Sequence, residues 1–299
     1  MLREAAEAAA GDQAYPPGAL YVVAMPIGNR ADLTLRAIHV LARVDAIACE
    51  DTRHSQPLLR QIGVDKPLIA LHRHNERSAS ESVLQRLSAG ERVACVSDAG
   101  TPGISDPGAV LVAAVQAAGY PTVPVPGPSS ALAALSVAGD AAGGAFHFRG
   151  FLPARGSERA QAVAALAAEP AAQVLFEAPH RIADLAEALA AHCGTRPVTI
   201  CRELTKQFET VATLAADRLP AWLSADPNRL RGEFVLVVHT APAAETPGAE
   251  MHDGVLRTLL SELPLKQAVA LAARLTGAPR NALYERALAL KSDPDATPH

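Results

Sequence analysis

The 299-residue chain is poor in aromatic residues, with one Trp, four Tyr and six Phe. Its core must therefore be aliphatic. Nearly half of the residues are apolar, at 49%, and alanine is abundant, a composition that favours helices. Cysteine is scarce as well. Cys49, Cys95, Cys193 and Cys201 form no C-x-x-C pair. Three of them lie in or beside apolar strand-like runs, which reads as buried, reduced thiols in a cytoplasmic protein. Positive charge is not in excess. A net charge of −4 argues against a protein that coats nucleic acid nonspecifically, but leaves room for a local basic groove. No apolar run reaches the roughly 18 residues needed to cross a membrane. The opening Met1-Leu-Arg-Glu-Ala-Ala-Glu lacks a signal-peptide pattern. The chain also lacks a G-x-G-x-x-G fingerprint, a Walker-type phosphate loop and a G-x-S-x-G elbow, which removes the nicotinamide, nucleotide-triphosphate and serine-hydrolase signatures. His72-Arg-His-Asn-Glu76 holds metal-ligand residue types, but no partner set at metal spacing exists elsewhere, so no metal is expected.

What is present alternates strand and helix. Residues 1–17 read as a disordered leader. From 18 to 139, apolar runs at Leu20–Ala24, Val44–Cys49, Pro67–Leu71, Val93–Val96 and Thr122–Val125 alternate with helical segments. Repeated β-α units predict a mostly parallel, helix-covered sheet. A loop-rich hinge, Gly139-Asp-Ala-Ala-Gly-Gly144, follows. A second α/β domain is expected over 145–240. Its closely spaced strands suggest more antiparallel pairing. A Pro/Ala/Glu linker over 240–250 leads to a helical tail over 250–292, interrupted at Pro264 and at Gly277-Ala-Pro279.

The segment Val93-Ala-Cys-Val-Ser-Asp-Ala-Gly-Thr-Pro-Gly-Ile-Ser-Asp-Pro-Gly108 carries the most information. A short apolar strand stops abruptly in a Gly-rich turn before a helix. That places bare backbone N–H groups at the carboxyl edge of a sheet, where open α/β sheets bind ligands. On that reading Asp98 and Asp106 can take hydroxyls or an amine and shape or line the loop. The plain alternative is a tight turn in which Asp106 caps the next helix and Pro107 takes its first position. Three more loops leave strands of the same inferred sheet: Met25-Pro-Ile-Gly-Asn29, Glu50-Asp-Thr-Arg53 and Pro126-Gly-Pro-Ser-Ser130. Convergence of four polar or Gly-rich loops at one edge favours a ligand site. The Glu50–Arg53 cluster reads either as a capped helix with a solvated ion pair or as an anchor for a ribose or phosphate, with Arg53 as donor.

The ordered segments "LYVVAMPIGN", "ACEDTRHS", "VSDAGTPGISDPG", "PVPGPSS", "GFLP", "FEAPHR", "CRELTKQFE" and "GEFVLVV", from Leu20 to Val238, resemble the ribosomal RNA small subunit methyltransferase I group of the tetrapyrrole methylase superfamily. As a set in this order the resemblance is highly specific. It implies two α/β domains of tetrapyrrole-methylase type with S-adenosylmethionine in the cleft between them, and a homodimer. It further implies methylation of the ribose 2′-hydroxyl of a cytidine in the decoding region of 16S ribosomal RNA, within the small ribosomal subunit. Carried over residue by residue, Pro26, Asp98, Ala99, Gly100, Thr101, Ile104, Ser129, Ser130 and Phe176 are the expected cofactor contacts. Met25 stands where the family commonly has Thr.

Methyl transfer from a sulfonium needs chiefly in-line placement of the ribose oxygen, together with a group to take its proton. Glu50, Asp51 and Glu177 are the candidates for that group, with Arg53 orienting the ribose or phosphate. Arg149, Arg155, Arg159, Arg181, Arg202 and Lys206 are the expected RNA contacts, and Phe151 is placed to stack on a base. Two other functions remain open at this point. One is methylation of a tetrapyrrole carbon, and the other is a ligand-sensing DNA-binding regulator that uses the helical tail.

Overall fold

The computed structural model describes residues 1–242 and 252–292, which fall into two compact units divided after Thr240. The first unit contains two five-stranded sheets. The first sheet comprises β1 (Leu20–Val23), β2 (Ala46–Cys49), β3 (Leu68–Ala70), β4 (Val93–Val96) and β5 (Thr122–Val125), all parallel and in the order β3-β2-β4-β1-β5. Its inner strands are buried on both faces, which is why they read as unbroken apolar runs. Pro124 is tolerated because β5 is an edge strand.

Six helices belong to this part of the chain: α1 (Leu2–Ala10), α2 (Leu35–Arg43), α3 (Thr52–Gln61), α4 (Glu76–Ser88), α5 (Ala109–Ala117) and α6 (Ser130–Ala138). Thr34 caps α2 by accepting the Ala37 N–H at 3.1 Å. The expected disorder of residues 1–17 does not hold. Helix α1 packs on α2 through Ala6 and Ala10, the Glu7 carboxylate lies 3.0 Å from His39 Nδ1, and the Tyr15 hydroxyl donates to the Ala10 carbonyl at 2.9 Å.

The second sheet comprises β6 (Phe146–Phe151), β7 (Ala172–Glu177), β8 (Pro197–Arg202), β9 (Thr210–Ala215) and β10 (Phe234–Val238), in the order β6-β7-β10-β8-β9. Only β6 and β7 are parallel; the other pairs are antiparallel. One face packs on α7 (Gly156–Ala168), α8 (Ile182–Cys193) and α9 (Leu219–Ser224) through a core that includes Leu175, Leu185, Leu189, Ile200, Leu219 and Leu236. Each such side chain, fully buried, contributes about 1.5–3 kcal/mol.

The other face is covered by α6, whose Ala131, Ala134 and Ala138 lie against Val174, Cys201, Val235 and Val237. Small residues at helical spacing allow this close approach. The helix that leaves the first sheet thus roofs the second. As a result, residues 139–144 do not separate two compact units. Asp140 in that segment accepts hydrogen bonds from the Thr240 N–H at 2.9 Å and the Thr240 hydroxyl at 2.8 Å.

In the second unit, α10 (Asp253–Glu262), α11 (Leu265–Thr276) and α12 (Arg280–Ser292) enclose Leu256, Val269, Ala272, Leu283 and Ala287. Asp253 and Arg286 form a two-pronged ion pair at 2.7 and 2.8 Å. The expected breaks at Pro264 and Gly277 fall between these helices. Most of the expected linker, residues 243–250, lies outside the described residues. No described helix is long and apolar enough to cross a membrane.

Candidate active site

Strands β4, β1 and β5 are neighbours, so the loops leaving their carboxyl ends meet. Met25 and Gly100 exchange backbone hydrogen bonds at 2.8 and 3.0 Å, joining the loops after β1 and β4. The Thr101 hydroxyl donates to the Pro128 carbonyl at 3.2 Å, joining the loops after β4 and β5. The Ser97 hydroxyl turns back onto the carbonyls of Ala99 and Gly100 at 3.0 and 3.1 Å. Gly100 has φ +74°, a left-handed conformation that costs glycine nothing. These ties form one wall of a cleft of about 350 Å³, built from Ile27, Ala99-Gly100-Thr101, Ile104-Ser105-Asp106 and Ser129-Ser130.

The opposite wall comes from the second sheet. Because β10 runs antiparallel to β7, Phe234 pairs with Glu177 and Val235 with Phe176. The start of one strand and the end of the other therefore reach the same edge. Phe151, Phe176-Glu177-Ala178-Pro179, Leu204 and Glu233-Phe234-Val235 complete this wall. Phe151 is 55% exposed and stands edge-on to Phe176, with ring centroids 5.6 Å apart. Asn29 N–H donates to the Thr205 hydroxyl at 3.1 Å, linking the two walls. A Cβ on Gly28 would lie 2.5 Å from Lys206 Cγ, so glycine is needed where the walls touch.

The charges are unevenly satisfied. The Glu177 side chain is fully buried. Its Oε2 accepts from Arg159 at 2.9 Å; its Oε1 accepts the Ala178 N–H at 2.9 Å and lies 3.1 Å from Arg181 Nε. The two guanidiniums then donate to the carbonyl of Pro153, each at 3.1 Å, and Arg181 also to that of Leu152 at 2.7 Å. Lys206 Nζ lies 2.9 Å from both Glu203 and Glu233. Burial works against the Lys206 charge, but these two carboxylates outweigh it and raise the ammonium above its ordinary range.

On the first wall, burial pushes the Asp106 carboxyl up to about 6, helped by Glu50 and Asp98 and opposed by Arg73. Glu50 is raised in the same way, by burial first and then by Asp98. Asp51 is held down at about 2 by its hydrogen bonds from Arg53.

Eight of the expected cofactor and catalytic residues line the cleft, Ala99, Gly100, Thr101, Ile104, Ser129, Ser130, Phe176 and Glu177, and so does Phe151, expected to stack on a base. Pro26 is buried beside the wall, and its neighbour Ile27 faces the cleft instead. Asp98 does not line it; its carboxylate accepts the Asp51 N–H at 3.3 Å. Asp106 does not cap α5. That helix starts after Gly108, whose N–H donates to Glu76 at 2.7 Å. Met25 is buried in the core of the first sheet and does not line the cleft.

Glu50, Asp51 and Arg53 do not line the cleft: their loop follows β2, on the side of β4 away from β1 and β5. Asp51 and Arg53 form an exposed ion pair at 2.7 Å. Five of the six expected RNA contacts have partners within the chain: Arg149 on Gln173, Arg159 and Arg181 on Glu177, Arg202 on backbone carbonyls, and Lys206 on Glu203 and Glu233. Arg155, at the start of α7, is exposed. Sequence reasoning missed Leu204, Glu233 and Val235, although the segments "CRELTKQFE" and "GEFVLVV" contain them. Only strand register shows which of their residues face the cleft.

Residues 19–220 match the family model of Tetrapyrrole (Corrin/Porphyrin) Methylases, and residues 245–291 that of the RsmI C-terminal HTH domain. A Xylella fastidiosa protein described as ribosomal RNA small subunit methyltransferase I is 47% identical over 271 residues, covering 90% of this chain and 98% of that protein. The Pseudomonas aeruginosa protein of the same description is 46% identical over 275 residues, covering 91% of this chain and 97% of its own. Among solved structures, a uroporphyrin-III C-methyltransferase from Thermus thermophilus, in complex with S-adenosylhomocysteine, aligns with a TM-score of 0.51 at 16% identity. The alignment covers 73% of this chain and 96% of that one. This last likeness concerns the fold.

Proposed function

We propose that this chain, which belongs to the tetrapyrrole methylase family and within it to the ribosomal RNA small subunit methyltransferase I group, methylates a ribose 2′-hydroxyl of 16S ribosomal RNA, on a cytidine of the decoding region. The observation that carries the reading is the cleft between the two sheets. It brings eight of the expected cofactor and catalytic residues together in a chain that is 47% identical to a methyltransferase of that description.

The cleft suits S-adenosylmethionine. Its volume of about 350 Å³ lies in the range of small-molecule sites. Ile27, Ile104, Leu204 and Val235 provide apolar walls for an adenine and a thioether. The Ser129 hydroxyl makes no capping bond to α6, so the first-turn N–H groups of that helix are free for a carboxylate. When bound, the sulfonium supplies an activated methyl group whose departure leaves a neutral sulfide and needs no acid.

The chain's own residues position and exclude. Gly100 gives close approach to the backbone, and Thr101 fixes the loop over α6. The Arg159–Glu177–Arg181 cluster holds the Phe151–Pro153 segment at the cleft edge. Phe151 offers a face for stacking a base, and Arg155 beside it a charge for a phosphate. These two replace the internally paired arginines as the first RNA contacts, and the small helical unit adds a second contact. The remaining carry-over from the family is a cytoplasmic homodimer. In support of a second copy, Leu132 and Val137 on α6 and Phe146 and Phe148 on the edge strand β6 are exposed apolar side chains.

The test uses the purified chain, tritiated S-adenosylmethionine and small ribosomal subunits from cells lacking the enzyme. Transfer to subunits and not to uroporphyrinogen is the expected result. Transfer to the tetrapyrrole alone, or donor binding with no transfer to either acceptor, would overturn the reading.

A further inference from the structure

Methylation of a hydroxyl leaves a proton to be placed. As the new C–O bond forms and the C–S bond breaks, sulfur takes the electron pair and the oxygen must release its hydrogen. Among the described residues three carboxylates line the cleft: Asp106, Glu177 and Glu233. Both oxygens of Glu177 are taken by the Ala178 N–H and two guanidiniums. Glu233 holds the Lys206 ammonium at 2.9 Å, and its side chain is 79% exposed. The Asp106 carboxylate accepts no hydrogen bond from any described residue and is half-buried in the wall.

The backbone on either side of Asp106 is fixed. Ser105, which is not a glycine, is held at φ +68°, a costly conformation kept only where the surroundings enforce it. The Arg73 guanidinium donates to the Ser105 carbonyl at 2.8 Å. Gly150 of β6 packs so closely that a Cβ there would lie 3.0 Å from the Ser105 hydroxyl. Pro107 restricts the following bond. A side chain without partners, on a strained and clamped loop, facing the cleft, is placed for a task other than holding the fold.

Resting on the reading of the cleft as a methyl-transfer site, we propose that Asp106 accepts the proton of the attacking hydroxyl and passes it to solvent. The charged groups facing it are Glu50 from the loop after β2, Asp98 from its own loop and Arg73 from the segment before α4. Together with burial they hold the carboxyl at about 6. A base of that strength is ionised at neutral pH and still takes a proton more readily than an ordinary aspartate.

The experiment compares the wild-type chain with Asp106→Asn and Asp106→Glu. It measures S-adenosylhomocysteine affinity by calorimetry, and single-turnover methyl transfer to unmodified small subunits between pH 5 and 9. The wild-type rate should climb about tenfold per pH unit below 6 and level off above it. Asp106→Asn should bind S-adenosylhomocysteine within about twofold of wild type, transfer at least about 100-fold more slowly and lose the pH-dependent rise. Asp106→Glu should recover part of the rate. A rate and pH profile in Asp106→Asn like those of the wild type would overturn the proposal, and so would a tenfold loss of S-adenosylhomocysteine affinity, which would place Asp106 in donor binding. No transfer by the wild-type chain, with S-adenosylhomocysteine bound, would refute the underlying functional reading and the proposal with it.

Discussion

Replacing Glu177 by Gln changes one atom of a side chain that water does not reach. The carboxylate is fully buried and neutralises Arg159, 12% exposed, and Arg181, 17% exposed. Glu177→Gln keeps the shape but leaves two guanidiniums without a counter-charge and turns an N–H donor towards one of them. Removing one partner of a buried ion pair costs about 3–5 kcal/mol, most of it for the charge left behind. A domain's whole stability is about 5–15 kcal/mol, so the folded-to-unfolded ratio should fall by about two to three and a half orders of magnitude.

For a unit of this size about 2–4 °C is lost per kcal/mol, which predicts a fall in Tm of about 6–20 °C. The same change should loosen the Leu152–Pro153 carbonyls, which the two arginines hold at 2.7 and 3.1 Å, and so weaken S-adenosylhomocysteine binding. Differential scanning calorimetry on wild type, Glu177→Gln, Arg159→Met and the double variant measures the cost and its coupling. The double variant should recover part of the loss. A Tm for Glu177→Gln within 2 °C of wild type, or simple additivity of the two substitutions, would refute the view of Glu177 as a counter-ion that positions the Phe151–Pro153 segment.

Arg196→Met should cost about 2–4 kcal/mol in a urea titration and leave S-adenosylhomocysteine affinity unchanged. Its guanidinium is the donor to five carbonyls, those of His239, Ala167, Glu169, Pro170 and Ala171, at 2.6–3.4 Å and away from the cleft. Gly100→Arg should abolish S-adenosylhomocysteine binding while the chain still folds. A Cβ there meets nothing closer than 3.5 Å, and the left-handed φ costs about 1–2 kcal/mol. Stability should fall as pH rises from about 4 to 6. Folded Asp106 keeps its proton up to about 6, whereas in the unfolded chain it releases it near the ordinary 3.8, so the native state binds more protons in that window. Asp106→Asn should flatten this part of the stability curve; a curve unchanged from wild type would contradict it.

The first wall of the cleft was readable because local signals and topology agree there. Val93–Val96 is a continuous apolar run ended by Gly and Pro, and Thr122–Val125 likewise; parallel neighbours must bring their following loops together. Glu50–Arg53 satisfied the same local rule and still fell outside: their strand β2 lies on the side of β4 away from β1 and β5, whose loops complete the wall. Strand order is not a local property. Helix α1 escaped notice for a related reason: its apolar contacts are two alanines, and its partners, His39 and the α2 face, lie some thirty residues away. The arginines of the second sheet illustrate a third limit. A sequence shows that Arg159 and Arg181 are charged, but only the fold shows that one buried carboxylate takes both.

The most direct test of the central claim is the chemical identity of the product. Small subunits labelled by the chain with tritiated S-adenosylmethionine would be digested to nucleosides and separated, with a protected decoding-region fragment analysed alongside. All of the label in 2′-O-methylcytidine from that fragment is the result this account predicts. Label on a base atom, or on a ribose elsewhere in the subunit, would contradict it.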